Sequence, residues 1–426
     1  MSLLTRDGYV VESCELTQYH IDALTITQEP SPYFNKKPIT FTIFVDKEDG
    51  IVAVPRYWGI EHFGKPRTLF GHTQRSRRLT FKGELRSVVQ QQAVAASMKQ
   101  LACDGSGVLS LCTGAGKTVL ALYIACRLQL KTLVVVHKTF LLDQWEERIK
   151  TFVPFARIGR IQQKIEDVDD CDIVVGMLQS IAMREYDDDT FRDFGLVIFD
   201  EVHVVPAPVF SRALLRLSAP HMLGLSATPV RIDGLSYVIH WFIGPTFFEY
   251  SLTGKEDVVV RAVEFIPGRI LPSIITAATS ILCDMEPRNS VIVEHIIDLV
   301  GEGRKILFLS DRRAHCEAMK RMLGHIGIES ALYLGGMKRF ELKKSEDCMV
   351  LLGTYGLAKE GLDIPTLDTL ILATPRSDVV QACGRILHGK TQFHPVIVDI
   401  VDRWFIGTSQ FRKRKAYYEK SGFTIT

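Results

Sequence analysis

Lys117 and Thr118 close the segment Leu111-Cys-Thr-Gly-Ala-Gly-Lys-Thr118, and two acids open Asp200-Glu-Val-His203. A lysine and a hydroxyl behind two glycines suit a polyphosphate: backbone N–H groups cradle the anion, the ammonium reaches its outer phosphates, and the hydroxyl meets Mg²⁺. Gly114 and Gly116 free the backbone to curl, with Ala115 between them. The N-terminus of the helix that follows the loop would add its partial positive charge at the same point. Leu111 stands where such a loop usually has its first glycine. The acids complement the loop: Asp200 can hold Mg²⁺, partly through water, and Glu201 can polarise an attacking water.

Three further blocks carry usable chemistry. Ser226 and Thr228, in Leu223-Gly-Leu-Ser-Ala-Thr-Pro229, offer hydroxyls at a strand end, although Ser and Thr also favour turns for local reasons. Gly353-Thr-Tyr-Gly-Leu-Ala-Lys-Glu-Gly-Leu-Asp-Ile-Pro365 has glycines for close backbone approach, and Asp363 is a candidate ribose or water-network ligand. Gln381-Ala-Cys-Gly-Arg-Ile-Leu-His388 supplies Arg385, whose guanidinium could stabilise charge on a transferred phosphate. Near the N-terminus, Tyr57 and Trp58 follow Arg56 and could stack on bases, with core packing as the favoured competing reading.

These residues need elements to hold them. Apolar 107–111 reads as a strand, and 119–128 as the helix leaving the loop. Residues 132–136, 172–175, 196–199 and 222–225 read as buried strands, with helices over 90–99 and 141–152. A second alternation follows, with helices over 291–300 and 313–326 and strands over 305–309, 349–352, 369–372 and 396–400. Alternation of this kind predicts parallel sheets with crossover helices. The first 80 residues are β-rich instead, and 39–45 with 51–54 predicts a hairpin. The expected organisation is an N-terminal β-rich α+β domain over 1–80, which could contact DNA. An α/β domain over 81–245, a connecting region over 246–285 and a second α/β domain over 286–426 follow.

Composition narrows the class. With 46% apolar and 23% charged residues in 426, the chain has material for two or three globular cores. No apolar run approaches the ~20 residues of a membrane span, and the N-terminus lacks a signal peptide's apolar core. Nine scattered cysteines without a C-x-x-C pair argue for an intracellular, reducing compartment and against a zinc site. Net charge is only +2, so any nucleic-acid footprint must be local. Two basic clusters qualify, one from Arg56 to Arg86 and one at Arg412-Lys-Arg-Lys415, with a solvated face as the equal alternative.

In order and spacing these blocks resemble the motifs of superfamily 2 helicases. "LCTGAGKT" is similar to motif I, "DEVH" to motif II, "SAT" to motif III, "GTYGLAKEGLD" to motif V and "QACGRILH" to motif VI. "VVVHKTFLLDQW" resembles motif Ia, and "GMLQS" the nucleic-acid-contacting block after it. "LGLSATPVRIDGL", "VIHWFIGP" and "LRSVVQQQAV" resemble the XPB-like branch, including the transcript-release helicases of poxviruses and related large DNA viruses.

The resemblance implies two RecA-like domains with ATP and Mg²⁺ between them and nucleic acid across both. It implies ATP contacts by Gln90, Gly114, Ala115, Gly116, Lys117, Thr118, Gly361, Asp363, Gln381 and Arg385, with Thr118 and Asp200 at the metal. Lys117, Asp200, Glu201 and Arg385 would be catalytic; His203, Ser226 and Thr228 would couple ATP to the strand. His137, Lys138, Gln179, Ser180 and Thr354 would contact nucleic acid. The implied activity is an ATP-dependent DNA helicase or translocase, acting as a monomer, with transcription machinery as a candidate partner. The alternatives are an RNA helicase and a nucleic-acid-binding scaffold with weak ATPase. No membrane partner is expected. The host cytoplasm or nucleus, or the virion, would be its place if viral. His388 departs from the resemblance, since motif VI normally ends in arginine and an imidazole cannot replace a guanidinium fork.

Overall fold

The computed structural model describes the chain except residues 1, 29–37, 48–49, 72, 77–78, 113, 188, 204–206, 228–233, 251–257, 357–361, 363 and 388–390. Two compact units form, one from Met1–Leu111 with Ala115–Tyr250 and the other from Cys112–Gly114 with Ser251–Thr426. No helix among the described residues is long and apolar enough to cross a membrane.

The first unit opens on a β-rich region. Strands β1 (Leu3–Thr5) and β2 (Gly8–Glu12) precede helix α1 (Gln18–Ala23), and β3 (Thr25–Gln28) pairs antiparallel with β4 (Ile39–Thr42). Then come β5 (Val45–Lys47), β6 (Ile51–Val54), α2 (Arg56–Phe63) and β7 (Arg67–Thr68), giving a sheet ordered β5-β6-β2-β1-β7. The hairpin expected from 39–45 is corrected here. The run breaks at Ile43, which is fully buried and donates its N–H to the Leu24 carbonyl. Only Val45–Lys47 pairs with Ile51–Val54, while Ile39–Thr42 belongs to the other ribbon.

The segment after β6 is internal. Trp58 is fully buried and stacks on His62 at 4.1 Å. The Tyr57 hydroxyl donates to the Ser106 carbonyl at 2.8 Å, and Arg56 donates to the Asp104 carbonyl at 2.8 Å. Leu4, Tyr9 and Trp58 share one apolar cluster with Val108, Leu133 and Val197 of the following sheet. Burial of each such large side chain contributes about 1.5–3 kcal/mol. Tyr57 and Trp58 are therefore core, not a base-stacking platform, and Arg56 drops out of the basic cluster.

The α/β part of this unit runs α3 (Val88–Cys103), β8 (Ser106–Leu111), α4 (Lys117–Leu128), β9 (Thr132–Val136), α5 (Thr139–Phe152), β10 (Ile158–Gln162) and β11 (Ile165–Asp167). It continues through β12 (Ile173–Met177), α6 (Leu178–Met183), β13 (Leu196–Phe199), α7 (Ala207–Leu214), β14 (His221–Ser226), α8 (Ser236–Ile243) and β15 (Thr246–Tyr250). The sheet is ordered β11-β10-β12-β9-β13-β14-β8-β15, and every pairing is parallel except β10 with β11. Strands β8, β9 and β13 are buried throughout, as parallel strands covered on both faces must be.

The second unit contains β16 (Val259–Phe265), α9 (Ile275–Asp284), α10 (Glu286–Gly301), β17 (Ile306–Ser310), α11 (Arg313–His325) and β18 (Ser330–Tyr333). After α12 (Arg339–Ser345) come β19 (Val350–Thr354), β20 (Thr369–Leu372), β21 (Val396–Asp402), a helix over Phe405–Lys420 and β22 (Thr424–Ile425). This sheet is ordered β18-β19-β17-β20-β21-β16-β22 and is parallel throughout. In the stretch read as connecting, β15 pairs with β8 in the first sheet and β16 with β21 in the second. The C-terminal basic run is not a uniform surface patch, because Arg414 is buried and donates from two nitrogens to Asp399 at 2.8 Å each.

Candidate functional site

The loop after β8 begins from a buried residue. Leu111 has no exposed surface, so its side chain belongs to the sheet's core. Gly114 and Gly116 take φ of +80° and +88°, the left-handed region that favours glycine. Gly116 caps α4, and a Cβ there would lie 2.7 Å from Nε2 of Gln90. That same Nε2 donates to the Ala115 carbonyl at 3.0 Å, while Oε1 accepts from the Arg86 N–H at 2.6 Å. Gln90 thus braces the loop from the first turn of α3, where Ser87 caps the helix. Lys117 donates to the Leu111 carbonyl at 3.2 Å and lies 3.9 Å from a Glu201 oxygen. Thr118 occupies the first turn of α4.

The acids follow β13. Asp200 is buried, and its N–H donates to the Val135 carbonyl at 3.0 Å. Its carboxylate accepts the Trp145 indole N–H at 2.8 Å and the backbone N–H of Glu201. Burial, ahead of the neighbouring Glu201 charge, raises the Asp200 carboxyl to about 6. Glu201 holds a φ of +50°, a costly conformation for a side chain of this kind and one that clusters at functional sites. The turn it makes lets the Val202 N–H reach the Leu225 carbonyl at 3.1 Å. His203 then comes within 3.6 Å of Glu201, and its Nδ1 lies 2.9 Å from the Ser226 hydroxyl. A connected path therefore runs Lys117–Glu201–His203–Ser226. Thr228 lies outside the described residues.

The donor set fits magnesium and no heavier cage. Among the described residues, no group of three His, Cys, Asp or Glu gathers to hold a metal. Magnesium needs none, since it takes one or two carboxylates together with substrate phosphates and water. An ionised carboxylate has about four acceptor sites, so the two donors on Asp200 leave room.

His137, at the end of β9, is only 8% exposed. Its ring lines a small crevice with Leu178, Phe199, Asp200, Val202 and Phe210, and neither nitrogen finds a hydrogen-bond partner among the described residues. Burial first, then the Lys138 charge, lowers it to about 4, so the ring is neutral. The resemblance implied a nucleic-acid contact for this residue; the sheet places its ring inside. The His137 carbonyl accepts from the Gln179 amide at 3.0 Å, and the Ser180 hydroxyl accepts from the Gln163 N–H at 2.9 Å. Lys138, Gln179 and Ser180 are half-buried at neighbouring strand ends.

In the second unit, Gln381 is buried and Arg385 donates to the Leu362 carbonyl at 2.7 Å. Thr354 ends β19, directly opposite Ser310 at the end of β17. Gly361, Asp363 and His388 lie outside the described residues. Two features escaped the sequence reading. Trp145 looks like one more member of the apolar stripe Leu141, Leu142, Trp145, Ile149. His315 is buried between the Ser310 hydroxyl at 3.0 Å and the Asn289 amide oxygen at 2.9 Å.

Residues 82–231 match the family model described as "Type III restriction enzyme, res subunit". Two viral relatives share the description "Putative ATP-dependent RNA helicase". The one from Acanthamoeba polyphaga mimivirus is 33% identical, covering 99% of this chain and 86% of the relative. This chain belongs to the superfamily 2 helicases. The second relative of this helicase, from African swine fever virus, is 28% identical over 77% of the chain and 71% of its own length. The helicase also resembles S. cerevisiae Dbp5 bound to RNA and ADP BeF3, with a TM-score of 0.55 at 13% identity, covering 80% of this chain and 89% of that one. That likeness concerns the fold, which is two RecA-like parallel-sheet domains preceded by a small β-rich region. Membership in the family implies use of ATP.

Proposed function

We propose that this helicase is a nucleic-acid-stimulated ATPase that converts hydrolysis into movement along DNA. The observation that carries the reading is the path Lys117–Glu201–His203–Ser226, which joins a phosphate-type loop to a hydroxyl at the end of another strand. In this reading Gly114, Ala115, Gly116 and Lys117 bind the phosphates, and Gln90 braces their loop. Glu201 accepts a proton from water as the water oxygen bonds to the γ-phosphorus. The bond to the bridging oxygen breaks, and ADP leaves with the electron pair. Asp200 and Thr118 would hold Mg²⁺, which when bound neutralises charge on the β- and γ-oxygens. Arg385 contributes its guanidinium to the transferred phosphate, with Gln381, Gly361 and Asp363 as further nucleotide contacts. His203, Ser226 and Thr228 carry the state of the nucleotide toward the strand. Lys138, Gln179, Ser180 and Thr354 contact its backbone, and the His137 carbonyl positions Gln179.

Phosphate contacts make such movement tolerant of sequence and sensitive to salt. RNA as the track is a second reading, favoured by the descriptions that the two viral relatives carry. The test is ATP hydrolysis at low salt with single-stranded DNA, duplex DNA or RNA added. Stimulation by DNA is expected. Stimulation by RNA alone would move the assignment to the second reading. No stimulation by any of the three would overturn the motor and leave a nucleic-acid-binding scaffold.

A further inference from the structure

Trp145 lies in the middle of α5 and is 1% exposed. Its place among Leu141, Leu142 and Ile149 explains why an aromatic side chain is there. It does not explain the indole N–H. That donor points at Oδ2 of Asp200, 2.8 Å away, and both partners are buried. Burial alone does not force the pairing: Trp58 is equally buried, and its indole N–H has no partner among the described residues. A hydrogen bond to an ionised acceptor is roughly twice as strong as one between neutral groups.

Helix α5 is also held from its other side. Arg160 on β10 pairs with Glu146 at 2.7 Å and with Asp143, the neighbours of Trp145 in the same turns. The helix is pinned to the sheet through Arg160, which fixes where its indole can reach. A carboxylate that holds a metal needs a set rotamer, and outer donors commonly set it.

We propose that Trp145 is a positioning residue for Asp200, fixing one carboxylate oxygen so that the remaining acceptor sites are presented to Mg²⁺. The proposal rests on the assignment of Asp200 to the metal made above. The indole does not touch nucleotide or metal; it acts through the carboxylate.

The test removes the donor and keeps the shape. Trp145 is replaced in the full chain by 3-benzothienylalanine, in which sulfur takes the place of the N–H, and in parallel by phenylalanine (Trp145→Phe). ADP binding is followed by calorimetry with chelator and then across a Mg²⁺ titration, and folding is checked by thermal melting. In the isostere, ADP affinity without Mg²⁺ is expected to match wild type. The Mg²⁺ concentration for half-maximal tightening of ADP should rise about 10–100-fold. Trp145→Phe should show the same rise where it folds, and the isostere decides where it does not. An unchanged Mg²⁺ requirement in the folded isostere overturns the role of Trp145 while leaving the nucleotide site standing. A wild-type protein that binds no ADP overturns the nucleotide site and this proposal with it.

Discussion

Asp200 and Asp402 both stand at the carboxyl end of a buried parallel strand, and both are almost without solvent exposure. Their partners differ. Arg288 grips Asp402 with two nitrogens, at 2.7 and 2.9 Å, and spends a further bond on the Ala373 carbonyl. Arg414 does the same to Asp399, with the Tyr418 hydroxyl added at 2.9 Å. Asp200 instead receives a neutral indole and a backbone N–H. A carboxylate gripped by a fixed guanidinium fork has its charge already answered by a cation that cannot be displaced without leaving it buried and unpaired. A carboxylate held by neutral donors keeps both its charge and its vacant acceptor sites. Two aspartates with the same place on a sheet thus become a clamp in one unit and a candidate metal ligand in the other.

The sharpest way to break this contrast is at the hydrolytic end. Glu201→Gln or Lys117→Ala should lower nucleic-acid-stimulated phosphate release by at least 10²–10³-fold, with ATP binding retained in Glu201→Gln. Near-wild-type release from Glu201→Gln would remove the acid pair from the chemistry. Next is the clamp: Arg288→Ala leaves Asp402 buried and uncompensated, at a cost of about 3–5 kcal/mol in urea unfolding of the second unit. A change below about 1 kcal/mol would show that the pair is dispensable.

Smaller effects separate the units by pH. Burial raises Asp200 from 3.8 to about 6, so the protonated form suits the fold better than the carboxylate. That contribution is whole below 3.8 and lost as pH rises through about 6. Asp200→Asn should therefore raise the melting temperature of the ligand-free protein by a few degrees near neutrality, with the gain fading in acid. A melting temperature that falls near neutrality would contradict it. His315 has the opposite sign. Burial lowers it from 6.5 to about 3, so the stability of its neutral form is present above 6.5 and lost as pH falls toward 3. The penalty of His315→Gln should be largest near neutrality and narrow in acid; a pH-independent penalty would show that hydrogen bonding alone sets it.

Much of the architecture was legible because strands covered on both faces must be apolar throughout. The strands read at 132–136, 196–199 and 369–372 coincide with β9, β13 and β20. The edge hairpin β10–β11 escaped, since its second strand is exposed along its length and carries no such run. Charge runs misled for a related reason. Nothing local distinguishes Arg414, buried against Asp399, from the solvated Arg412 two positions earlier.

The sequence by itself determined the chemical inventory and its order: the loop glycines, Lys117, the acids after an apolar run, and the later arginine. These are local patterns, set by backbone freedom, strand burial and helix polarity over a few residues. The tertiary structure alone decided which carboxylate is answered by what. Trp145 reaches Asp200 across 55 positions, and Arg288 reaches Asp402 across 114. The physical reason is that an apolar stripe or a strand-end aspartate is degenerate with respect to partner, and only the stacking of helix on sheet selects the donor that arrives.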